Sequence, residues 1–232
     1  MTARYLPLLA IVFTLLGGCS ALGPTHDVKG PVPLNKAVAE VPENQLLDIW
    51  IELFDPGELP EDEDEAMGLS MDIRDAEARY IPEQLRTTME STGHWGAVRV
   101  VPQETTGAEL LVQGTIIASD GEQLALRIKA FDASGREWFD RAYEQELIEG
   151  VYKARGLIRN PPSQDVFQSL YNTIANDLAA HREELTAEDF REIQQVSELR
   201  AAHDMAPDAF DGHLEVDQDG RFEIVRPPAE SD

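Results

Sequence analysis

The chain has 232 residues, 42% of them hydrophobic, and carries 19 Lys and Arg against 44 Asp and Glu, a formal net charge of −25. So acidic a surface repels phosphate backbones and anionic head groups, which excludes nucleic-acid binding. The length suits one domain or a domain with an appendage, and a single cysteine rules out a disulfide framework, so stability must come from an ordinary core.

The chain opens with Arg4 followed by an apolar run over residues 6–16, too short to span a bilayer and proportioned like a signal peptide. The run ends Leu16-Gly17-Gly18-Cys19-Ser20, which resembles the lipobox of bacterial lipoproteins. That resemblance implies cleavage of residues 1–18, a diacylglycerol on the sulfur of Cys19 and a third acyl chain, such as palmitate, on its new amine. Each buried methylene contributes about 0.8 kcal/mol, so three chains make release from the membrane negligible. Ser20 in place of Asp is similar to the pattern that sends such proteins, in a Gram-negative cell, to the outer membrane facing the periplasm.

Residues 19–45 contain Pro24, Gly30, Pro31, Pro33 and Pro42 and read as a lipidated cysteine followed by a flexible tether. Fully extended, the residues after Cys19 would reach about 85 Å at ~3.3 Å each. From Leu47 the chain alternates apolar and mixed residues to Phe54, the signature of a strand with one apolar face, and Asp55-Pro56-Gly57 ends it. The acidic run at residues 61–65 beside Pro60 reads as a solvated loop. Ile73, Ala76, Tyr80, Leu85 and Met89 then keep helical spacing up to Gly93, with Pro82 expected either to kink the helix or to start a second one. A short strand over residues 97–101 stops at Pro102.

Three strands at residues 109–118, 123–131 and 137–145, separated by Ser119-Asp120-Gly121 and Asp132-Ala133-Ser134-Gly135, predict an antiparallel meander. Val166, Leu170, Ile174 and Leu178 recur every four residues and predict an amphipathic helix over 165–182. Thr186-Ala187-Glu188-Asp189 has the form of a helix cap, predicting another helix through Leu199 and ending before Pro207. Residues 213–216 and 221–225 suggest a short hairpin, followed by a loose tail.

The expected fold class is therefore α+β: one mainly antiparallel mixed sheet with helices packed on it over residues 46–184, plus a C-terminal helical and hairpin extension over 185–232. Over about residues 46–182 this order resembles the small domain shared by the curli-secretion lipoprotein, the penicillin-binding-protein activator lipoproteins and the amino-terminal domain of the Tol-system translocation protein. The correspondence rests on Gly93 ahead of the strand ending Val98-Arg99-Val100-Val101, on the glycine in Leu110-Leu111-Val112-Gln113-Gly114-Thr115-Ile116, and on Asp132 and Gly135 at the meander turn. The resemblance implies a protein-binding module and carries no catalytic motif.

No nucleophile elbow, P-loop, dinucleotide glycine pattern or zinc-binding histidine pair occurs, so no catalytic residue, cofactor or metal ligand is assigned. His26, His94, His181, His203 and His213 are scattered. Asp217-Gln218-Asp219-Gly220 is similar to part of a calcium loop, but Arg226 stands where the bidentate glutamate is needed, so a hairpin turn is expected. Trp50, Trp95 and Trp138 read as core residues, with a sugar-stacking platform for peptidoglycan as the alternative. Lys153, Arg155 and Arg159 gather three cations in one loop of an acidic chain and form a candidate contact site for an anionic partner.

These observations lead to the expectation of a non-catalytic lipoprotein, anchored to the membrane through Cys19, that assists an envelope assembly, secretion or cell-wall machine and binds an envelope protein partner. A periplasmic cell-wall hydrolase or glycan-binding protein is the alternative, with a secretion pore subunit behind it. The oligomeric state is left open.

Overall fold

The computed structural model describes residues 25–60, 68–147 and 165–226. Strands β1 (Thr25–Asp27), β2 (Ile49–Glu52), β3 (Val98–Val101), β4 (Leu110–Ser119), β5 (Gln123–Asp132) and β6 (Glu137–Glu146) form one mixed sheet in the order β1-β6-β5-β4-β2-β3. The predicted meander is present: β4, β5 and β6 pair antiparallel, with Gly114 opposite Ile128 and Leu126 opposite Tyr143. β2 lies parallel to both β3 and β4. Parallel neighbours need a crossover, and helix α1 (Met71–Glu90) supplies it between β2 and β3.

Alternation decides which side of the sheet is covered. Leu124, Leu126, Ile128 and Ala130 of β5 are all buried beneath α1 and α2 (Gln168–Glu183), while Arg127 and Lys129 point the other way. Leu170, Ile174 and Leu178 of α2 are fully buried, as their spacing requires. The helix begins slightly later than its apolar pattern, because Asp165 accepts the amide of Phe167 through Oδ1 and forms a turn first.

α1 runs unbroken through Pro82. Proline cannot donate to the carbonyl four residues back, which leaves the Ala78 oxygen free. The amide of Phe54, just beyond β2, donates to that oxygen at 3.0 Å. The helix therefore needs no second start: its missing bond is replaced by one that ties it to the sheet.

The C-terminal segment packs on the domain. Helix α3 (Ala187–Met205) starts with a complete capping box, in which Thr186 accepts from the Asp189 amide and the Asp189 carboxylate accepts from Thr186. Phe190, Ile193, Val196 and Leu199 are buried along its inner face, each contributing about 1.5–3 kcal/mol, and the first three join the main core. Ser197 donates to the Gly107 carbonyl and Gln194 to that of Leu46, fixing α3 across the end where β2 and β4 begin. A short turn, α4 (Pro207–Phe210), leads to the hairpin β7 (Leu214–Val216) and β8 (Phe222–Ile224), whose Phe222 amide donates to Ser134. At its tip Asp217 Oδ1 accepts from the amides of Asp219 and Arg221, the turn expected in place of a calcium loop.

One expectation needs correction. The flexible tether read over residues 19–45 is, from Thr25 onward, laid against the domain. β1 pairs parallel with β6 in the register Thr25 with Ala142 and Asp27 with Glu144, and Val28 is 4% exposed. Extended backbone that bonds to helix side chains leaves no periodic pattern, so proline and glycine content alone misread it.

Candidate interaction surfaces

The strap of residues 25–37 is held as an extended peptide would be. Ser169, Asn172 and Asn176 lie on one face of α2, at the three- and four-residue spacing that aligns side chains along a helix. Asn176 accepts the Asn35 amide at 2.8 Å and donates to the Pro33 carbonyl at 2.9 Å, a two-sided grip on the backbone. Asn172 donates to the Val32 carbonyl at 2.7 Å, Ser169 accepts the Val32 amide, and Ala37 donates to Thr92. These contacts read backbone, so α2 holds this segment largely irrespective of its side chains. The sequence signal was Ser169, Asn172 and Asn176 on one polar helix face, which an amphipathic reading passes over as solvated surface.

Beside the strap, Asp177 of α2 accepts from the Tyr143 hydroxyl at 2.9 Å and from Arg141, and its carboxylate lies 3.8 Å from His26 Nδ1. The His26 ring stacks on Tyr143 at 5.8 Å. Burial first, and then the neighbouring Asp177 charge, push the Tyr143 phenol far above its ordinary value, so it stays a neutral donor. A histidine, a carboxylate and a tyrosine together have the residue types of acid–base chemistry, but here every polar contact fastens β1 and β6 to α2.

The tryptophans separate. Trp95 and Trp138 are buried with ring centroids 6.5 Å apart, and Trp138 donates to Asp132 at 3.1 Å. Trp50 projects from the opposite face of β2, in register with Leu111, so the three present no common platform. His94 is buried in the turn after α1, and burial first, then the Arg182 charge, hold its imidazole below the ordinary value.

The face of the meander opposite α1 and α2 carries Arg127 in a two-point ion pair with Asp140 at 2.7 Å, with Lys129 on the same carboxylate at 3.2 Å. β4, β5 and β6 are each ten residues long, enough for a membrane strand, but these charges match that face to water rather than lipid. Glu52 is buried and accepts from the Glu104 amide and the Gln113 side chain, each at 2.9 Å; it thereby holds Glu104 in the left-handed region at φ 62°. Among the described residues no group of three or more His, Cys, Asp or Glu is placed to hold a metal ion.

Cys19, the acidic run at residues 61–65, and Lys153, Arg155 and Arg159 lie outside the described residues. The described residues therefore hold none of these sequence-read sites.

Fold and surfaces together define an α+β domain with a mixed six-stranded sheet, two helices on one face, a third across its end, and an extended N-terminal segment bound along α2. No family model and no curated protein matches this sequence. Among solved structures the chain is similar to a PelC dodecamer from Paraburkholderia phytofirmans, a single-substitution variant, at 12% identity over 65% of this chain and 92% of that one. The TM-score is 0.35, too slight a likeness to carry an argument.

Proposed function

We propose that this chain is a lipid-anchored, non-catalytic interaction subunit of an envelope assembly, secretion or cell-wall machine, attached through Cys19 to the outer membrane and facing the periplasm. The observation that carries the proposal is the apolar run closed by Leu16-Gly17-Gly18-Cys19. The resemblance of residues 46–182 to domains of secretion and cell-wall lipoproteins supports the accessory role. The docked strap adds a geometric consequence. Only residues 20–24 separate Cys19 from Thr25, a reach of about 20 Å at ~3.3–3.6 Å per step, so the domain is held close to the bilayer.

Mass spectrometry of the protein from native membranes, joined to cross-linked co-purification, tests the proposal. Its expected result is an acylated Cys19 N-terminus in the outer-membrane fraction with stoichiometric envelope subunits. An unmodified Cys19, or turnover of an envelope substrate by the purified protein that one side-chain change abolishes, overturns it.

A further inference from the structure

A cavity of about 320 Å3 opens between the end of α3, α4 and the hairpin. Its apolar lining comes from Phe210, Leu214, Val216 and Phe222, and Val216 is 59% exposed. Asp204 and Asp211 stand on the exposed rim together with His203. Arg200, the arginine in the lining, is already committed: its guanidinium lies 4.5 Å above the Phe222 ring and donates to the Ala133 carbonyl at 3.0 Å. Burial pushes its guanidinium below the ordinary value, with the nearby Asp204 charge opposing that shift. Asp204 accepts from Thr106 through Oδ2.

From this combination we infer that the groove is a docking site for a partner segment that presents one large apolar or aromatic side chain flanked by lysine or arginine. The inference rests on the reading of the chain as an interaction subunit and names the partner chemistry. The volume lies at the lower end of ordinary ligand sites, matching one anchoring side chain rather than a folded surface. An apolar floor with an acidic rim favours that side chain by burial and its basic flanks by charge, and the charge component falls as salt rises. The protein's net charge of −25 works in the same direction, steering cationic segments toward the surface before they dock.

The test uses the lipidated protein in detergent micelles and three fluorescein-labelled hexapeptides: Lys-Lys-Leu-Phe-Lys-Lys, its analogue with Ser-Ser at the centre, and its analogue with glutamate flanks. Fluorescence anisotropy is expected to show binding of the first peptide alone, weakened about fivefold by D204N/D211N and by Val216→Asn. A photo-reactive version is expected to label the lining segment between Arg200 and Phe222. Equal binding of the Ser-Ser peptide, labelling elsewhere, or affinity unchanged in both variants overturns the groove. Absence of binding at millimolar peptide does so too. None of these outcomes touches the acylation and co-purification results, so failure of the groove is distinguishable from failure of the accessory role.

Discussion

The ring of Phe54 occupies the space that a side chain on Gly114 would need: a Cβ built there stands 2.4 Å from the ring. Gly114 sits mid-strand in β4, opposite Ile128, where glycine ordinarily weakens a sheet. Here it admits an aromatic ring, 2% exposed, into the core against β4, and the same Phe54 bonds through its amide to α1. Gly114→Ala is therefore expected to destabilise the fold by about 1–3 kcal/mol, as overpacking does, despite the better strand propensity of alanine. Urea unfolding checks this, and an unchanged midpoint would show that Phe54 can move aside.

Removing the asparagine grip should free the strap without unfolding the domain. Asn172→Ala with Asn176→Ala deletes three hydrogen bonds to residues 32–35, worth roughly 1 kcal/mol each net of exchange with water. Hydrogen exchange is expected to accelerate at the Asn35 and Val28 amides while β4 and β5 stay protected. Equal acceleration across the sheet would mean that the strap is part of the cooperative core.

Arg74 is 2% exposed, and its Nε and Nη1 atoms have no hydrogen-bond partner among the described residues. An uncompensated buried guanidinium is costly, and an apolar replacement of similar length removes that cost. Arg74→Met should raise the unfolding free energy by about 1–2 kcal/mol. A clear loss of stability would show that the charge is balanced from a segment outside those described.

Asp189 links stability to pH. The Thr186 hydroxyl and amide, followed by Arg136, hold its carboxyl down at about 2, below the ordinary 3.8. A carboxyl depressed on folding stabilises the protein above its unfolded value, and that contribution is lost as pH falls from about 4 through about 2. The side chain is partly exposed, so screening reduces the effect to about 1 kcal/mol. Thermal unfolding from pH 7 to pH 2 should show Asp189→Ala less stable at neutral pH and converging on the parent near pH 2. A constant difference across that range would assign the loss to packing instead.

Residues whose partners are near in sequence were legible beforehand. Leu124, Leu126, Ile128 and Ala130 announced β5 through their period of two, and the Asp132 to Gly135 turn fixed its hairpin with β6. The Thr186 and Asp189 cap was equally readable, because both halves lie within one helical turn. Pro82 illustrates the limit. The sequence showed that the Ala78 carbonyl would lose its helical donor, but the replacement came from Phe54, 24 residues earlier in the chain and on another element.

What the sequence determined alone was composition, charge, the α+β order of elements and the Leu16-Gly17-Gly18-Cys19 pattern on which the proposal of anchoring rests, since each is a local pattern or a sum over residues. The tertiary structure decided the rest. It took residues 25–37 out of the tether and bound them to Asn172 and Asn176, it buried α3 in the main core, and it opened the groove between Asp204, Phe222 and Val216. The physical reason is separation: most of these contacts join positions dozens to more than a hundred residues apart. Closure of such loops depends on how the whole core packs, which no local period encodes.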